Sequence, residues 1–487
     1  MTPAARPQLL SIHQRPLRPQ AASYLLPMTW PLKWFAVFAL AHAPLGILFY
    51  NAKYLGVVHA YAVFAIGMYM AWDRKRPLEQ TIYPLMYLAG VEVLWRMAEI
   101  PIFWEFGKYG ATLIIATALI RRGFTKLPVP AAAYFLLLMP ACLPTLLNND
   151  WTGARASLSF NMSGPLALAA ACWLFSYVRV TSDEVKRLLL MAMIPIVSVA
   201  VTTLFYTVTA DEITFGTESN FATSGGFGPN QVSAMLGMGV FFAGTIYLLF
   251  KNELREVVPL LALLLLFSMQ SVMTFSRGGM YTAIGSIAVV LLFQLRYLNK
   301  TIGRMLPIFL LAAVFLILVF PYLNEFTGGN LQTRFEETDT TRRLDIVGSD
   351  LQIFSEFPIL GIGVGEATHY RAKYLDYRAP SHTELSRLIS EHGSLGILAL
   401  LALFAASLIN LFRSNVPIHA ALVGGVITWS MLFMLNSGMR LAAPSIIFGI
   451  SFIAIIAKRR PARPAAIATA SRGISRPHLQ ERPIFRK

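Results

Sequence analysis

Long apolar stretches separated by short polar segments recur along almost the whole chain. Each stretch holds about 20 residues, the length that a helix needs to cross the roughly 30 Å hydrocarbon layer of a membrane. Apolar residues run continuously within each stretch and do not alternate with polar ones, which excludes a transmembrane barrel. The pattern predicts an all-α polytopic membrane protein with about fourteen transmembrane helices.

The predicted helices lie near residues 33–50, 54–72, 81–98, 109–120, 128–147, 162–178, 188–206, 231–250, 257–274, 279–296, 305–322, 394–411, 418–435 and 440–457. The fourth is short for a membrane crossing. We nevertheless expect it to cross, because basic segments would otherwise fall on both sides of the membrane.

Lysine and arginine explain the orientation of the helices. The chain has 487 residues and a formal net charge of +16. Basic residues gather after every second predicted helix, as in 73–76 and 251–255, which places these segments and both termini in the cytoplasm. Membrane topology thus accounts for the charge, and we expect no nucleic-acid partner.

The hydrophobic pattern also predicts how the chain is divided. The expected order is a disordered cytoplasmic tail (1–27), eleven transmembrane helices (28–322), a large periplasmic loop with the candidate chemistry (323–392), three further transmembrane helices (393–457) and a basic cytoplasmic tail (458–487). Both cysteines, Cys142 and Cys172, fall in predicted membrane helices, so we expect no disulfide framework in the loop.

The large loop contains a candidate general base. An amphipathic helix is predicted from Asp345 to Phe354, followed by a glycine-rich turn and a second helix. Ser381 is the predicted N-cap of that second helix and Glu384 completes a capping box. His382 would then occupy the first helical position, where the helix dipole favours the neutral imidazole that acts as a base. A solvated loop histidine is the simpler alternative. His369 and His392 are other candidate bases on the loop, but neither has a comparable local frame.

Basic residues on the loop are candidate binding groups for phosphate. They are Arg334, Arg342, Arg343, Arg371, Lys373, Arg378 and Arg387. The positive-inside rule does not require them on this side, and guanidinium groups bind phosphate with two hydrogen bonds. A diphosphate site is one reading. A solvated charged face, paired with nearby acidic residues, is the other.

Three further features carry candidate chemistry. Arg277 lies in a tight turn, Ser276-Arg277-Gly278-Gly279, between two predicted helices on the outer side, and Asn230 follows a glycine-rich segment before another helix. Within the third helix, Glu92, Arg96 and Glu99 share one face, where they form either ion pairs or a polar cavity. No metal-binding motif occurs, and we expect no cofactor.

Several of these motifs together resemble the O-antigen ligase and polymerase superfamily. His382-Thr383 is followed after nine residues by Gly393-x-x-Gly396, similar to that family's His-[Asn/Ser/Gln]-x9-Gly-x-x-Gly pattern. Arg343-x-x-Ile-Val, Pro358-x-x-Gly-x-Gly, Ser-Arg-Gly-Gly and Gly-Pro-Asn also match family motifs, in the expected order over residues 220–400. Thr383 and Val347 depart from the pattern, and the arginine that often precedes Pro-Asn in the family is missing.

The resemblance implies a metal-independent transfer of a glycan from a polyprenyl-diphosphate donor to an acceptor hydroxyl, at the outer face of the bacterial inner membrane. It implies that His382 activates the acceptor and that Arg343 and Arg277 hold the donor diphosphate. Arg342, Arg371, Arg378 and Asn230 are expected to bind substrate. Expected partners are a lipid-linked oligosaccharide donor, a glycan or lipid acceptor and polysaccharide-assembly proteins.

Other functions remain open at the level of sequence. A protein O-glycosyltransferase of the same superfamily would share these motifs. A transporter would explain the charged residues within membrane helices, although no matching pair of interrupted helices marks the two halves. A catalytically silent scaffold would require His382 and the arginines to be dispensable.

Overall fold

The computed structural model describes residues 32–250, 252–295, 298–337, 343–375, 377, 381, 383–414 and 417–456. The two predicted cytoplasmic tails lie outside these residues. The helices are α1 Leu32–His42, α2 Leu45–Asn51, α3 Lys53–Trp72, α4 Ile82–Met97, α5 Phe106–Arg122, α6 Val129–Leu138, α7 Cys142–Asn148, α8 Trp151–Phe175, α9 Ser182–Thr209, α10 Pro229–Leu249, α11 Leu254–Met273, α12 Arg277–Gln294, α13 Leu298–Val314, α14 Phe320–Phe326, α15 Asn330–Glu336, α16 Arg343–Glu356, α17 Ala367–Tyr370, α18 Glu384–Phe412, α19 Pro417–Ser437 and α20 Ala443–Ile450.

The prediction of a helical polytopic membrane protein is confirmed. Within the described ranges, nine helical segments are long and apolar enough to cross a membrane. The fourth predicted span is the continuous helix α5, which extends beyond both predicted ends. The total of fourteen crossings and the side on which each terminus lies stay predictions.

Several other boundaries differ from those predicted. The first span breaks after His42, where Pro44 precedes a second short helix. Helix α8 starts at Trp151, where the Asp150 side chain accepts a hydrogen bond from the Gly153 N–H. The last predicted helix is wrong at its end, because α20 stops at Ile450.

A small parallel sheet replaces the end of that last predicted helix. Strand β2, Ala454–Ile456, pairs with strand β1, Arg179–Thr181, with Val180 opposite Ile455. Both central residues are β-branched, which favours the extended backbone. Their pairing joins two segments far apart in sequence, and the local hydrophobic pattern does not reveal such a contact.

Helix α10 forms the centre of the bundle, and its membrane-spanning window is entirely buried. It packs against α9, α11, α12 and α19. A side chain at Gly279 of α12 would lie 2.0 Å from the Ser233 carbonyl oxygen of α10, so only glycine allows the two backbones to approach this closely. This contact fixes the position of the N-terminus of α12.

The predicted site motifs gather at one end of the bundle. The start of α12 meets the start of α10, α16 meets the end of α19, and the start of α18 meets the 438–442 connection. At the other end, Arg121 donates to the Asp73 carbonyl oxygen and Lys186 pairs with Glu256. We call the first end the site end; its exposure to the periplasm stays a prediction.

Candidate functional site

The Ser-Arg-Gly-Gly turn is held by polar contacts with α10. The Ser276 hydroxyl donates to Asn230 Oδ1 over 2.7 Å, and the Ser233 hydroxyl donates to the Ser276 carbonyl oxygen over 2.8 Å. A Cβ at Gly278 would collide with the Asn436 side-chain amide, so Gly278 makes room for the end of α19. The two glycines therefore bring α10, α12 and α19 together around Arg277.

Arg277, Arg334 and Arg343 form an arginine cluster at this junction. Arg343 Nη1 donates to Asn436 Oδ1 over 2.7 Å, and Arg334 Nε donates to the Phe275 carbonyl oxygen over 3.0 Å. Arg277 donates to the Glu337 carbonyl oxygen. The three side chains come from three separate elements, and an uncharged oxygen accepts a hydrogen bond from each of them.

The cluster carries surplus positive charge. Burial lowers the pKa of Arg343, and repulsion from Arg277 and Arg334 lowers it further. Glu337 offsets part of the charge, at 3.6 Å from Arg334. The N-terminus of α12 adds the positive end of a helix dipole, and no side chain caps it. This arrangement stabilises an anion that approaches the start of α12.

The glycine-rich turn and the kink in α18 form one contact. Gly393 has φ of 61° and breaks α18, which frees the carbonyl groups of the preceding turn. The Ile362 N–H donates to Ser390 and the Gly363 N–H to Glu391, each over 3.1 Å. The Pro-x-x-Gly-x-Gly and Gly-x-x-Gly motifs thus interlock, and they position the segment before the kink.

Helix α18 begins later than predicted. Thr383 is its N-cap and accepts from the Ser386 N–H over 3.2 Å, so the predicted cap at Ser381 is wrong. Ser381 is instead held from both sides. Its hydroxyl accepts from Arg371, and its carbonyl oxygen accepts from Arg440 Nη2 over 3.0 Å. These two arginines fix the backbone immediately before position 382.

Glu384, Arg387 and Glu391 form a buried ion-pair network along one face of α18. Arg387 Nη1 lies 2.6 Å from Glu391 Oε2, and the other edge of its guanidinium contacts Glu384. Glu384 also accepts from the Met439 N–H over 3.3 Å. The network therefore ties the first half of α18 to the 438–442 connection.

We expect Arg387→Ala to lower the free energy of unfolding by about 3–5 kcal/mol, because it leaves two buried carboxylates without their partner. Thermal unfolding of the detergent-solubilised protein measures the loss. The matched control is Arg255→Ala, which removes an exposed pair with Glu253 and is expected to cost less than about 1 kcal/mol. Equal melting temperatures for the two variants would contradict the structural role of Arg387.

A cavity of about 340 Å³ opens beside this network. Ser381, Arg440 and His369 line it, together with Asn161 and Ser157 of α8. Two more lining residues, Glu384 and Glu391, are neutralised in part by Arg387. The cavity is lined by charged and hydroxyl-bearing side chains as well as apolar groups, and it is large enough for a sugar ring, so its lining suits a hydroxyl-bearing ligand.

The comparison with known protein families finds a match for part of the chain. A family model described as O-antigen ligase matches residues 260–401. This segment of the chain is similar to the O-antigen ligase family. This confirms the resemblance read from the motifs. A search among curated proteins finds no match to this chain.

The structure brings some of the predicted site residues together. Arg277 and Arg343 belong to the arginine cluster, and Asn230 contacts it through Ser276. His382, Arg342 and Arg378 lie outside the described residues, and their roles stay predictions. Among the residues that the structure describes, no group of three His, Cys, Asp or Glu side chains is arranged to hold a metal ion.

Two candidate site residues are buried. Arg371 is 0% exposed, binds Asp350 Oδ1 through Nη2 at 2.6 Å and donates to the Ser381 hydroxyl, while its role in substrate binding stays a prediction. His392, an alternative base, is also fully buried, with Nδ1 3.1 Å from the Leu138 carbonyl oxygen. His369 is exposed and lines the cavity, so it is the one alternative base within the described residues that a ligand reaches.

Two residues near the candidate site, Asn436 and Arg440, were not predicted from the sequence. Arg334 was predicted only as one of seven basic loop residues that are candidates for binding phosphate. The sequence could have identified Arg440, because an arginine at the predicted outer end of two apolar helices opposes the positive-inside rule. Asn436 had no such signal, since an amide at a helix end usually serves as a cap.

Proposed function

We propose that the protein transfers a glycan from a polyprenyl-diphosphate donor to an acceptor hydroxyl at the outer face of the bacterial inner membrane. The observation that carries this proposal is the arginine cluster, which three elements build at the site end of a membrane bundle. Guanidinium groups and a helix N-terminus bind a diphosphate well, and a lipid-linked donor presents its diphosphate at the membrane surface.

The proposed reaction uses this placement of the arginine cluster. The acceptor oxygen attacks the anomeric carbon of the donor, and the bond from that carbon to the diphosphate oxygen breaks. The arginine cluster stabilises the charge that develops on the leaving lipid diphosphate. His382 takes the proton of the acceptor hydroxyl. No metal ion is needed in this scheme, because cationic side chains supply the positive charge.

The cavity beside Ser381 supports the place of the acceptor. Ser381, which precedes His382 in the sequence, lines this cavity, and the lining side chains offer both donors and acceptors of hydrogen bonds. The ligase match favours transfer over the transporter and scaffold readings. Polymerase, lipid ligase and protein O-glycosyltransferase differ in their acceptor, and the glycan that accumulates in an inactive variant separates a polymerase from a ligase.

We expect His382→Ala to abolish transfer in cells, with lipid-linked oligosaccharide accumulating, because the acceptor hydroxyl loses its base. The glycan profile is compared with wild type and with a deletion strain at equal membrane abundance of the variant. Accumulated single repeats indicate a polymerase, and accumulated full-length lipid-linked chains indicate a ligase.

The matched variant is His369→Ala, which removes the exposed histidine of the same cavity. Its profile is expected to match wild type. A block by His369→Ala with normal transfer by His382→Ala would show that the base is misassigned. Normal profiles from both variants would remove histidine base catalysis from the mechanism.

A further inference from the structure

A second cavity of about 340 Å³ lies at the site end, outside the region matched by the ligase model. It is formed by the end of α4, the 98–105 connection and the start of α5. Its lining includes Trp95, Arg96, Glu99, Trp104 and Phe227. We call it the aromatic pocket. None of the chemistry proposed above uses it.

Aromatic rings form the walls of this pocket. Phe106 packs edge-on against Trp95 and Phe103, with ring centroids 5.8 and 5.4 Å apart. Trp104 and Phe103 remain 50% and 53% exposed although both line the pocket. Open aromatic faces carry partial negative charge and attract the polarised C–H groups of a sugar ring.

Trp95 is fixed by a directed chain of hydrogen bonds. Its indole N–H can only donate, so His59 Nδ1 accepts, over 3.1 Å. His59 Nε2 then donates to the Tyr87 hydroxyl over 2.9 Å, and that hydroxyl donates to His42 Nε2 over 2.8 Å. His42 Nδ1 donates to the Phe38 carbonyl oxygen over 2.7 Å. This hydrogen-bond chain therefore holds the Trp95 ring in place in the wall of the pocket before a ligand binds.

Arg96 offers the pocket hydrogen-bond donors. Its Nη2 contacts Glu92 Oε1 at 2.7 Å and the Arg440 carbonyl oxygen at 2.9 Å, and its guanidinium lies 4.5 Å from the Trp104 ring centre. Its Nε and Nη1 atoms are buried and have no acceptor among the described residues. Buried donors without an acceptor are costly, and ligand oxygens would satisfy them.

Charge balance selects the kind of ligand. Arg96 pairs with Glu92, and Lys53 pairs with Glu99 over 3.2 Å, so these four charges cancel. A diphosphate would gain less electrostatic binding energy in this pocket than at the arginine cluster. Glu99 also has φ of 49°, a strained conformation for a residue with a side chain, and it places a carboxylate beside the pocket. Carboxylates accept hydrogen bonds from sugar hydroxyls.

We propose that the aromatic pocket binds a neutral sugar ring of the glycan substrate. The proposal rests on the glycan transfer proposed above and adds a subsite to it. Two features link the pocket to the proposed reaction site. Phe227, which lines the pocket, precedes Asn230 by three residues. Arg96 donates a hydrogen bond to the backbone of Arg440, whose side chain lines the first cavity.

The first test measures sugar binding without transfer. Purified protein in nanodiscs is mixed with methyl glucoside, methyl galactoside and methyl glucuronide, and saturation-transfer NMR reports ring protons in contact with protein. We expect signals from the neutral sugars that fall at least fivefold in Trp104→Ala and Glu99→Gln. The matched control is Trp151→Ala, another exposed tryptophan, 74% exposed and outside both cavities.

Two results would overturn the proposal. Equal signals for Trp104→Ala and wild type would mean that Trp104 only anchors the protein at the membrane interface, as exposed tryptophans often do. A signal from the glucuronide alone would mean that the pocket selects an anion. If the neutral-sugar signal persists in Arg343→Ala and is lost in Trp104→Ala, the result supports the subsite even if the glycan-transfer proposal fails.

A second test shows which substrate occupies the pocket. Lipid-linked donor and acceptor purified from the source cells are titrated separately with wild type and Trp104→Ala. A tenfold rise in KM for one substrate, with kcat unchanged, supports the subsite and assigns it to the acceptor or to the donor glycan. Unchanged KM for both substrates overturns it. Loss of transfer in Arg343→Ala, together with unchanged KM values in Trp104→Ala, would leave the transfer proposal intact and remove only the subsite.

Discussion

Arg343→Ala is expected to lower the rate of glycan transfer about a hundredfold or more, the usual cost of removing one charge-stabilising donor from a catalytic site. Arg343 belongs to α16, and Asn436 at the end of α19 holds it beside Arg277 and Arg334. The change removes one guanidinium from the site that we assign to the leaving diphosphate. The rate is measured on the purified protein with saturating donor.

Two control variants separate binding from fold. Arg343→Lys keeps the charge and loses the planar two-donor geometry, so we expect partial activity. Lys373→Ala removes an exposed charge that pairs with Glu356 on the same loop, and its rate should equal that of wild type. An Arg343→Ala protein that is folded and fully active would contradict the assignment of the arginine cluster.

Gly393→Ala is expected to lower the melting temperature strongly and to reduce the amount of protein in the membrane. Gly393 has φ of 61°, and a Cβ there would lie 2.6 Å from the Ile359 carbonyl oxygen and 2.7 Å from the Gly361 amide nitrogen. Both neighbours are backbone atoms, so they cannot move aside cheaply. With ψ of −142°, this backbone conformation is one that essentially only glycine adopts, and it alone costs an alanine about 1–3 kcal/mol.

The matched control for this change is Gly348→Ala. Gly348 lies in α16, where nothing stands within 4 Å of an added Cβ. Alanine should be neutral or stabilise the helix by up to about 1 kcal/mol. Thermal unfolding in detergent and quantified membrane abundance compare the two variants. A Gly393→Ala protein as stable as Gly348→Ala would show that the kink does not require glycine.

The fold was predictable where the signal is local. Apolar runs located the long membrane helices, because each run has to bury its backbone polar groups in a helix of its own. The pairing of Val180 with Ile455 was not predictable, because it joins segments more than 270 residues apart. The early start of α8 was missed because Arg155 and several polar residues lower the hydropathy of its first turns.

The candidate site was predictable in part for the same reason. Arg277, Arg343 and the glycine motifs stood out because arginine is unusual at that side of a membrane and glycine permits close approach. The burial of Arg371 against Asp350 could not be read from the sequence, because 21 positions separate the pair and both residues also suit a solvated loop. Ser381 looked like a helix cap, but the nearer Thr383 takes that place.

The most direct test of glycan transfer uses the purified protein in proteoliposomes with a donor labelled in its glycan and a matching acceptor. The account predicts that label moves to the acceptor, that one lipid diphosphate is released for each glycan transferred, and that Arg343→Ala and His382→Ala stop both. Label that crosses the bilayer on intact donor, with no lipid diphosphate released, would contradict the account and indicate a transporter.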